Sequence, residues 1–130
     1  MKLSEIAAGY AQKITDEKLS KMFTQCFMST YETTVQLYDD GSCFVITGDI
    51  PAMWLRDSSA QVNHYVPFAK TSKEAYDVVD GLLRHQVVCI LADTYANAFN
   101  REANGLGHRK DKTEQSDYVW ERKYEIDSLC

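Results

Sequence analysis

The sequence lacks any apolar run that could cross a bilayer, and it lacks the apolar core of a secretory signal near its start. Residues 1–3 are followed at once by the polar pair Ser4 and Glu5. No stretch approaches the ~18 consecutive apolar residues of a membrane-spanning helix. We therefore expect no membrane partner and a cytoplasmic location.

Positive charge is scarce as well. Lys and Arg number 14 against 19 Asp and Glu, which gives a net charge of −5. Proteins that bind nucleic acids or anionic membranes present clustered Lys and Arg. The one basic run here, residues 108–112, is short and interrupted by an aspartate. We interpret this run as a solvated loop and predict no nucleic-acid partner.

Closely spaced cysteines are missing too. The four cysteines and three histidines are scattered, with no C-x-x-C pair and no spacing typical of metal ligands. This pattern argues against a zinc site or a disulfide framework, and it favours buried free thiols in a reducing compartment. We therefore expect neither a metal nor a cofactor. The residues concerned are Cys26, Cys43, Cys89 and Cys130, with His64, His85 and His108.

What is present is a globular composition. Apolar residues make up 45% and charged residues 25% of the 130 residues, proportions that are typical of a folded domain. That length suffices for one ordinary domain. We predict one domain over residues 1–130, without an internal boundary.

Periodicity in the first half predicts two helices and a hairpin. A helix over residues 4–14, capped by Ser4, precedes a stronger helix that opens at Asp16. Strand formers at 34–38 and 43–47 flank an Asp-Gly turn, which predicts a β-hairpin. Apolar residues of the second helix follow the spacing of one buried face; they are Leu19, Met22, Phe23, Cys26 and Phe27.

A capping box at residues 71–74 opens the strongest predicted helix, which runs to about residue 92. Gly81 in its interior costs ~1 kcal/mol relative to Ala, and it indicates a close contact with a neighbouring helix. The predicted buried face consists of Ala75, Val78, Val79, Leu82, Leu83, Gln86 and Ile90.

Less regular segments border this helix. Ahead of it, Ser58 or Ser59 is the predicted cap of a short helix that Pro67 ends. After it, residues 101–117 are polar and contain two glycines, which predicts a long loop. A last helix is predicted to begin at Tyr118.

Three segments, at residues 48–59, 93–100 and 120–127, combine aromatic rings with planar polar groups. An aromatic face covers the apolar C–H side of a sugar ring, while carboxylate, amide and guanidinium groups bond its hydroxyls. The segments therefore predict a carbohydrate site. The structural alternative is that their charged residues form ion pairs and caps at helix ends, and that both tryptophans belong to the core.

The amino-acid sequences of these segments resemble those of one family. G-D-I-P-A-M-W-L-R-D-S at 48–58, Y-A-N-A-F-N at 95–100 and V-W-E-R-K-Y-E-I-D-S-L-C at 119–130 look like glycoside hydrolase family 125, the metal-independent exo-α-1,6-mannosidases. The resemblance implies a mainly α fold, the N-terminal part of an (α/α)6 barrel, here with a small β-hairpin. It also implies hydrolysis with inversion, in which one carboxylic acid protonates the leaving oxygen and another carboxylate activates water.

The resemblance further implies a substrate pocket for an α-mannose-containing oligosaccharide. Arg56 and Asp57 match the motif at the barrel mouth, where Asp57 is expected to accept bonds from sugar hydroxyls. The family's acid and base are expected beyond residue 130, so no catalytic residue is assigned in this chain. Further candidates for the pocket wall are Trp54, Asn97, Asn100, Glu121, Arg122 and Glu125.

Three features depart from the family pattern. One is the segment Asn63-His64-Tyr65, which is less typical after the tryptophan motif. Thr94 stands where the family is expected to have proline, and the length is short. Twelve helices of ~11 residues with loops of ~5 residues need on the order of 200 residues. We therefore expect a fragment of an inverting exo-α-1,6-mannosidase that removes terminal mannose from glycans in a bacterial cell. The alternatives are a related barrel hydrolase for another α-linked sugar, and a non-catalytic sugar-binding or interaction remnant of such a barrel.

Overall fold

The computed structural model describes residues 1–110 and 113–126. Helices dominate these ranges. The elements in chain order are α1 (Leu3–Ala11), α2 (Glu17–Thr33), β1 (Val35–Leu37), β2 (Cys43–Val45), β3 (Met53–Trp54), α3 (Leu55–Val62), a 3₁₀ helix (Asn63–Phe68), α4 (Lys73–Ala92), β4 (Ala98–Phe99) and β5 (Val119–Glu121). The predicted fold class, mainly α with a small β-hairpin, is confirmed. No helix within the described ranges is long and apolar enough to cross a membrane.

Helix α1 begins at Leu3, and Ser4 is not its cap. The backbone N–H groups of Lys2 and Leu3 donate instead to carboxylates, at 2.8 Å to Glu5 Oε2 and 2.7 Å to Glu74 Oε2. Both bonds satisfy donors that a helix N-terminus otherwise leaves without a partner. Because Glu74 belongs to the first turn of α4, the second bond also joins the start of α1 to the start of α4.

Helix α2 begins where the sequence predicts. The Asp16 carboxylate accepts a hydrogen bond from the backbone N–H of Leu19 at 2.9 Å, which is the contact expected of an aspartate at the N-cap position. The helix then continues to Thr33. The predicted cap at Asp16 is therefore confirmed.

The buried face of α2 differs from the predicted one. Phe27 is buried and packs edge-on against two rings of the 3₁₀ helix, Tyr65 and Phe68. This contact centres the covered side of α2 on Phe27 and its neighbour Met28, which is also buried. Other members of the predicted face are consequently exposed; they are Leu19, Met22 and Cys26.

The predicted β-hairpin is present. Strands β1 and β2 pair antiparallel, with Val35 opposite Val45. Asp40 closes the turn, because its Oδ1 accepts bonds from the backbone N–H and the hydroxyl of Ser42 at 2.8 and 2.6 Å. Gly41 has a φ of +82°, a conformation that favours glycine. The three residues of β2 are all buried, so the hairpin contributes to the core.

Gly81 of α4 allows the hairpin to approach this helix. A Cβ atom added at Gly81 would lie 2.6 Å from the carbonyl oxygen of Gly41 and 3.0 Å from Cβ of Cys43. A close-packed interior has no room for that atom without a shift of the backbone. The close approach predicted at Gly81 is confirmed, but its partner is the hairpin rather than another helix.

Helix α4 has the predicted bounds, but the predicted capping box at residues 71–74 does not form. The cap is Ser72, which accepts a bond from the backbone N–H of Ala75, and Glu74 accepts from Leu3 instead. The buried face of α4 is rotated from the prediction, since Leu83 and Ile90 are exposed whereas His85 is buried. Apolar residues occur all round this helix, so their spacing does not select one face. Burial of His85 is tolerated because its Nε2 forms a hydrogen bond with the Tyr118 hydroxyl at 3.0 Å. The buried residues are Ala75, Val78, Gly81, Leu82, His85, Gln86 and Cys89.

Helix α3 is not capped by a serine. It begins at Leu55, directly after β3, and Ser58 and Ser59 lie inside it, where both hydroxyls donate to the carbonyl of Leu55 at 3.0 Å. The side-chain amide of Gln86 donates to both serine hydroxyls at 2.9 Å and so joins α3 to α4. Pro67 does not end the helical segment, because the 3₁₀ helix carries the chain past it.

A second sheet, which the sequence did not predict, brings the three polar and aromatic segments together. Strands β3, β4 and β5 pair antiparallel in that order. Trp54 lies opposite Ala98, and Ala98 lies opposite Glu121. The core takes residues from all the helices and from both sheets, and its most buried side chains include Phe44, Met53 and Phe99.

The helix predicted to begin at Tyr118 is wrong in the described part of that segment. The chain forms β5 there, because pairing with β4 satisfies its backbone groups and buries Val119 and Glu121. Residues 127–130 of the same motif lie outside the described residues. The long loop predicted over residues 101–117 has no helix or strand in its described part.

Candidate functional site

The three motif segments converge on one carboxylate. Trp54 ends β3, Asn97 precedes β4 and Glu121 ends β5. The Trp54 Nε1–H donates to Glu121 Oε1 at 3.4 Å, and the side-chain amide of Asn97 donates to the same oxygen at 3.3 Å. Backbone bonds from Leu55 N–H to Asn97 O and from Asn97 N–H to Glu121 O, at 3.1 and 2.9 Å, hold the segments side by side. The sheet thus joins three of the predicted site residues.

Glu121 is a buried carboxylate, 1% exposed, that several donors hold. Its Oε2 lies 2.6 Å from His108 Nδ1 and 3.2 Å from Lys123 Nζ. Burial alone raises the pKa of a carboxyl group, but hydrogen bonds from Lys123, Asn97 and His108 outweigh burial here and lower the pKa of Glu121. Glu121 is therefore ionised at neutral pH and acts as a charged anchor for the side chains around it.

His108 is a member of this cluster that sequence reasoning missed. It belongs to the basic run interpreted as a solvated loop, yet its ring centre lies 6.5 Å from that of Trp54 and 6.1 Å from that of Trp120. Its backbone N–H donates to the carbonyl of Trp120 at 2.7 Å. Gly107 permits this approach, because its φ is +125° and an added Cβ would lie 2.2 Å from the same carbonyl oxygen. Gly107, directly before His108, was the sequence feature that could have indicated this close approach.

Arg56 and Asp57 occupy the first turn of α3, directly after Trp54. Arg56 Nη2 lies 3.9 Å from Asp57 Oδ1, which is the outer limit of an ion pair. Asp57 and Trp54 both line an open cleft of about 370 Å³. Gln61 lines the same cleft, and its Oε1 is buried without a hydrogen-bond partner among the described residues. The other lining residues are Thr47, Gly48, Ile50 and Ala60.

Asn100 makes structural contacts. It is 1% exposed, and its Nδ2 donates to the carbonyls of Leu106 and Asp117 at 2.8 and 3.1 Å. Its backbone N–H donates to the carbonyl of Tyr118 at 2.9 Å. These bonds close the base of the loop between β4 and β5, so the geometry favours the structural alternative for Asn100.

Arg122 and Glu125 each form an ion pair with a residue other than Glu121. Arg122 Nε donates to both carboxylate oxygens of Asp93 at 3.2 and 2.9 Å, and Glu125 Oε1 lies 3.1 Å from Lys123 Nζ. Arg122 and Lys123 border a second, smaller cleft of about 240 Å³, together with Tyr95, Thr113 and Tyr124. Asp93 therefore positions Arg122 in the wall of that cleft, away from the cleft of Trp54 and Asp57.

The described thiols, Cys26, Cys43 and Cys89, line neither cleft. Cys43 and Cys89 are buried, and burial raises the pKa of each to about 12. The prediction of buried free thiols is confirmed for these two and is wrong for Cys26, which is exposed. Cys130 lies outside the described residues. Within residues 1–110 and 113–126, no three or more His, Cys, Asp or Glu side chains gather in a way that could hold a metal ion.

Comparison with known proteins agrees with the motifs. The family model described as metal-independent alpha-mannosidase (GH125) matches residues 16–130. The chain is 33% identical, over 131 aligned residues, to the meiotically up-regulated gene 157 protein of Schizosaccharomyces pombe, and the match covers 92% of this chain and 26% of that protein.

A solved structure is similar as well. It is a metal-independent α-mannosidase from Streptococcus pneumoniae in a non-productive complex with α-1,6-mannobiose, and it matches with a TM-score of 0.85 and 43% identity over 98% of this chain. The match covers 30% of that protein, so the chain spans less than a third of the length of either relative. This likeness supports the (α/α)6 barrel expected from the motifs.

Proposed function

Because the chain belongs to the metal-independent α-mannosidases of glycoside hydrolase family 125, we propose that the protein is an inverting exo-α-1,6-mannosidase that removes terminal mannose from glycans or oligosaccharides. The observation that carries this proposal is the cleft shared by Trp54 and Asp57. The α-1,6-mannobiose bound to the Streptococcus pneumoniae protein supports the choice of sugar and linkage.

Trp54 supplies the apolar side of the proposed pocket. Its indole is fixed by the Nε1–H bond to Glu121 Oε1, and Glu121 is itself fixed by Asn97, His108 and Lys123. A ring held in place before the ligand arrives loses little conformational freedom on binding. The C–H side of a mannose ring would rest on this indole.

Asp57 supplies the polar side. Its carboxylate is 43% exposed at the start of α3 and lines the same cleft as the indole. An ionised carboxylate accepts bonds from two neighbouring hydroxyls of a sugar, and such charge-assisted bonds are stronger than neutral ones. Arg56 precedes it in the same turn, with Nη2 3.9 Å from Asp57 Oδ1, and we propose that its guanidinium orients this carboxylate or donates to the sugar.

We do not propose Glu121 as the general acid of the reaction. A general acid must hold its proton at working pH, which requires a raised pKa, whereas the hydrogen bonds around Glu121 lower its pKa. We assign no catalytic residue in this chain. We propose that the acid and the base belong to the part of a longer protein that corresponds to the remaining length of the Streptococcus pneumoniae relative.

The proposal is tested by expressing the full reading frame that encodes the chain and supplying α-1,6-mannobiose. We expect release of mannose, and proton NMR should show β-mannose as the first product, because inversion converts the α linkage into a β anomer. Release of α-mannose first would overturn the inverting mechanism. Hydrolysis of another α-linked disaccharide in preference to mannobiose would favour the related barrel hydrolase.

The non-catalytic alternative has its own signature. A sugar-binding remnant would bind mannobiose in calorimetry while the full reading frame released no mannose. That combination would overturn the enzyme proposal and leave the pocket assignment standing. Absence of both binding and hydrolysis would overturn the pocket assignment as well.

A further inference from the structure

The His108 ring is oriented by one fixed contact. Its Nδ1 lies 2.6 Å from Oε2 of Glu121, a side chain that is 2% exposed. Because an ionised carboxylate can only accept hydrogen bonds, His108 Nδ1 must carry a proton and donate it to Glu121. The contact therefore sets the protonated nitrogen and directs the opposite edge of the ring, with Nε2, away from the carboxylate.

Other groups constrain the same ring. The indoles of Trp54 and Trp120 lie edge-on to it, and the backbone of residue 108 is bonded to β5. The His108 side chain nevertheless stays 45% exposed, and none of the described residues forms a hydrogen bond with its Nε2. A ring that is held on one edge and open on the other is suited to recognising a ligand.

We propose that His108 is a further substrate-recognition residue, whose Nε2 bonds a hydroxyl of the sugar that rests against Trp54. The inference depends on the proposed function and deepens it. One carboxylate serves both contacts, since Oε1 of Glu121 holds Trp54 while Oε2 holds His108. Glu121 is accordingly a positioning residue that does not touch the sugar.

A purely structural role for the ring is the competing explanation. The loop that carries His108 is already tied down by other groups: Gly105 N–H donates to Asp117 O at 3.0 Å, and Arg109 Nη1 donates to Ser116 O at 3.1 Å. Asn100 closes its base. These bonds join the two sides of the loop to each other, and the backbone N–H of His108 donates to the carbonyl of Trp120 in β5 at 2.7 Å. The loop therefore has a bond to β5 that does not use the imidazole, and we assign recognition to the exposed edge of that ring.

Two substitutions separate these roles in the protein expressed from its full reading frame. His108→Asn keeps a donor near Nδ1 for Glu121 and removes the Nε2 edge, whereas His108→Gln keeps a polar group near Nε2 and loses the contact with Glu121. If His108 recognises the sugar, Asn should raise the calorimetric Kd for α-1,6-mannobiose about tenfold, as loss of one hydrogen bond predicts, and Gln should restore part of the affinity. The reverse order, or no change in either variant, would overturn the proposal.

A spectroscopic measurement on the unsubstituted protein removes any dependence on variant folding. In long-range proton–nitrogen correlation spectra, His108 Nδ1 should be protonated, and the Nε2 resonance should move when mannobiose is added. If the Nε2 resonance does not move in protein that binds and hydrolyses mannobiose, the proposed role of His108 is overturned while the proposed function stands. If the protein neither binds nor hydrolyses mannobiose, the proposed function is wrong, and the role proposed for His108, which depends on it, is wrong as well.

Discussion

The indole N–H of Trp54 donates to Oε1 of Glu121 at 3.4 Å, across a separation of 67 residues in the chain. Two motifs that are remote in sequence thus meet in one hydrogen bond, at the edge of a cleft that also contains Asp57. The bond therefore links the stability of the fold to the geometry of the proposed pocket.

Asp57→Asn should lower kcat/KM for α-1,6-mannobiose in the full-length protein. Charge-assisted hydrogen bonds contribute ~1.5–3 kcal/mol, which corresponds to a loss of roughly 10- to 100-fold. The rate of mannose release at low substrate concentration measures the effect. Asp49→Asn is the matched control, because Asp49 is an exposed carboxylate of the same motif that does not line the cleft. Equal losses in both variants would contradict a specific role for Asp57.

Glu121→Ala should destabilise the folded chain by about 2 kcal/mol or more, since it removes the acceptor of the part-buried Trp54 N–H and one of the two acceptors of the buried Asn97 amide, which keeps its bond to Lys123 O. Urea unfolding followed by circular dichroism measures the change. The control is Glu17→Ala, because Glu17 forms an exposed ion pair with Lys21 whose removal should cost less than about 1 kcal/mol. A cost for Glu121→Ala as small as that of the control would show that the carboxylate is not an anchor.

Acid should remove the contribution of Glu121 to stability. Its pKa is lowered in the folded state by hydrogen bonds that outweigh burial, so folding favours the ionised form. The contribution is complete above the ordinary carboxyl pKa of ~4.3 and is lost as pH falls through the lower pKa of the folded state.

The comparison that checks this sign is the free energy of unfolding of the unsubstituted chain and of Glu121→Gln between pH 7 and pH 3. The difference between the two proteins should be largest near neutral pH and should shrink in acid. A difference that grows as pH falls would mean that folding raises the pKa of Glu121.

Gly81→Ala should destabilise the chain by about 1–3 kcal/mol, the usual cost of overpacking. The new methyl group would lie 2.6 Å from the carbonyl oxygen of Gly41, so the hairpin would have to move. Gly9→Ala is the control within a helix, because nothing lies within 4 Å of its added Cβ, and it should stabilise α1 by up to about 1 kcal/mol. Thermal unfolding of both variants tests the pair, and a neutral Gly81→Ala would show that the hairpin adjusts freely.

Local chemistry made part of the fold predictable. The hairpin was predictable because Asp40 and Gly41 form a turn with short-range bonds. Helix α4 was predictable because polar capping residues precede a long apolar pattern, although the cap is Ser72 and not the predicted box at residues 71–74. Its buried face was not predictable, since apolar residues such as Leu83 and Ile90 lie outside the core. Which side is covered depends on elements that pack against the helix from elsewhere in the chain.

The candidate site was likewise predictable only where local sequence determines it. Residue types placed Trp54, Asn97 and Glu121 among the candidates, but the sheet that joins them has strands of two or three residues, too short for a periodic signal. A helix was predicted where strand β5 forms. The pairing that makes it a strand could not be seen from the local sequence, because its partner β4 is remote in the chain. His108 was missed because its contact with Glu121 passes across a loop and depends on the conformation of Gly107.

The shared carboxylate of Glu121 has an evolutionary consequence. A substitution at position 121 disturbs the indole and the imidazole together, because each is held by one of its two oxygens. A substitution at 54 or 108 alters one ligand-facing group and leaves the other in place. Selection for a different sugar can therefore change Trp54 or His108 separately. Selection that preserves the pocket should act most strongly on Glu121, because its loss frees both rings.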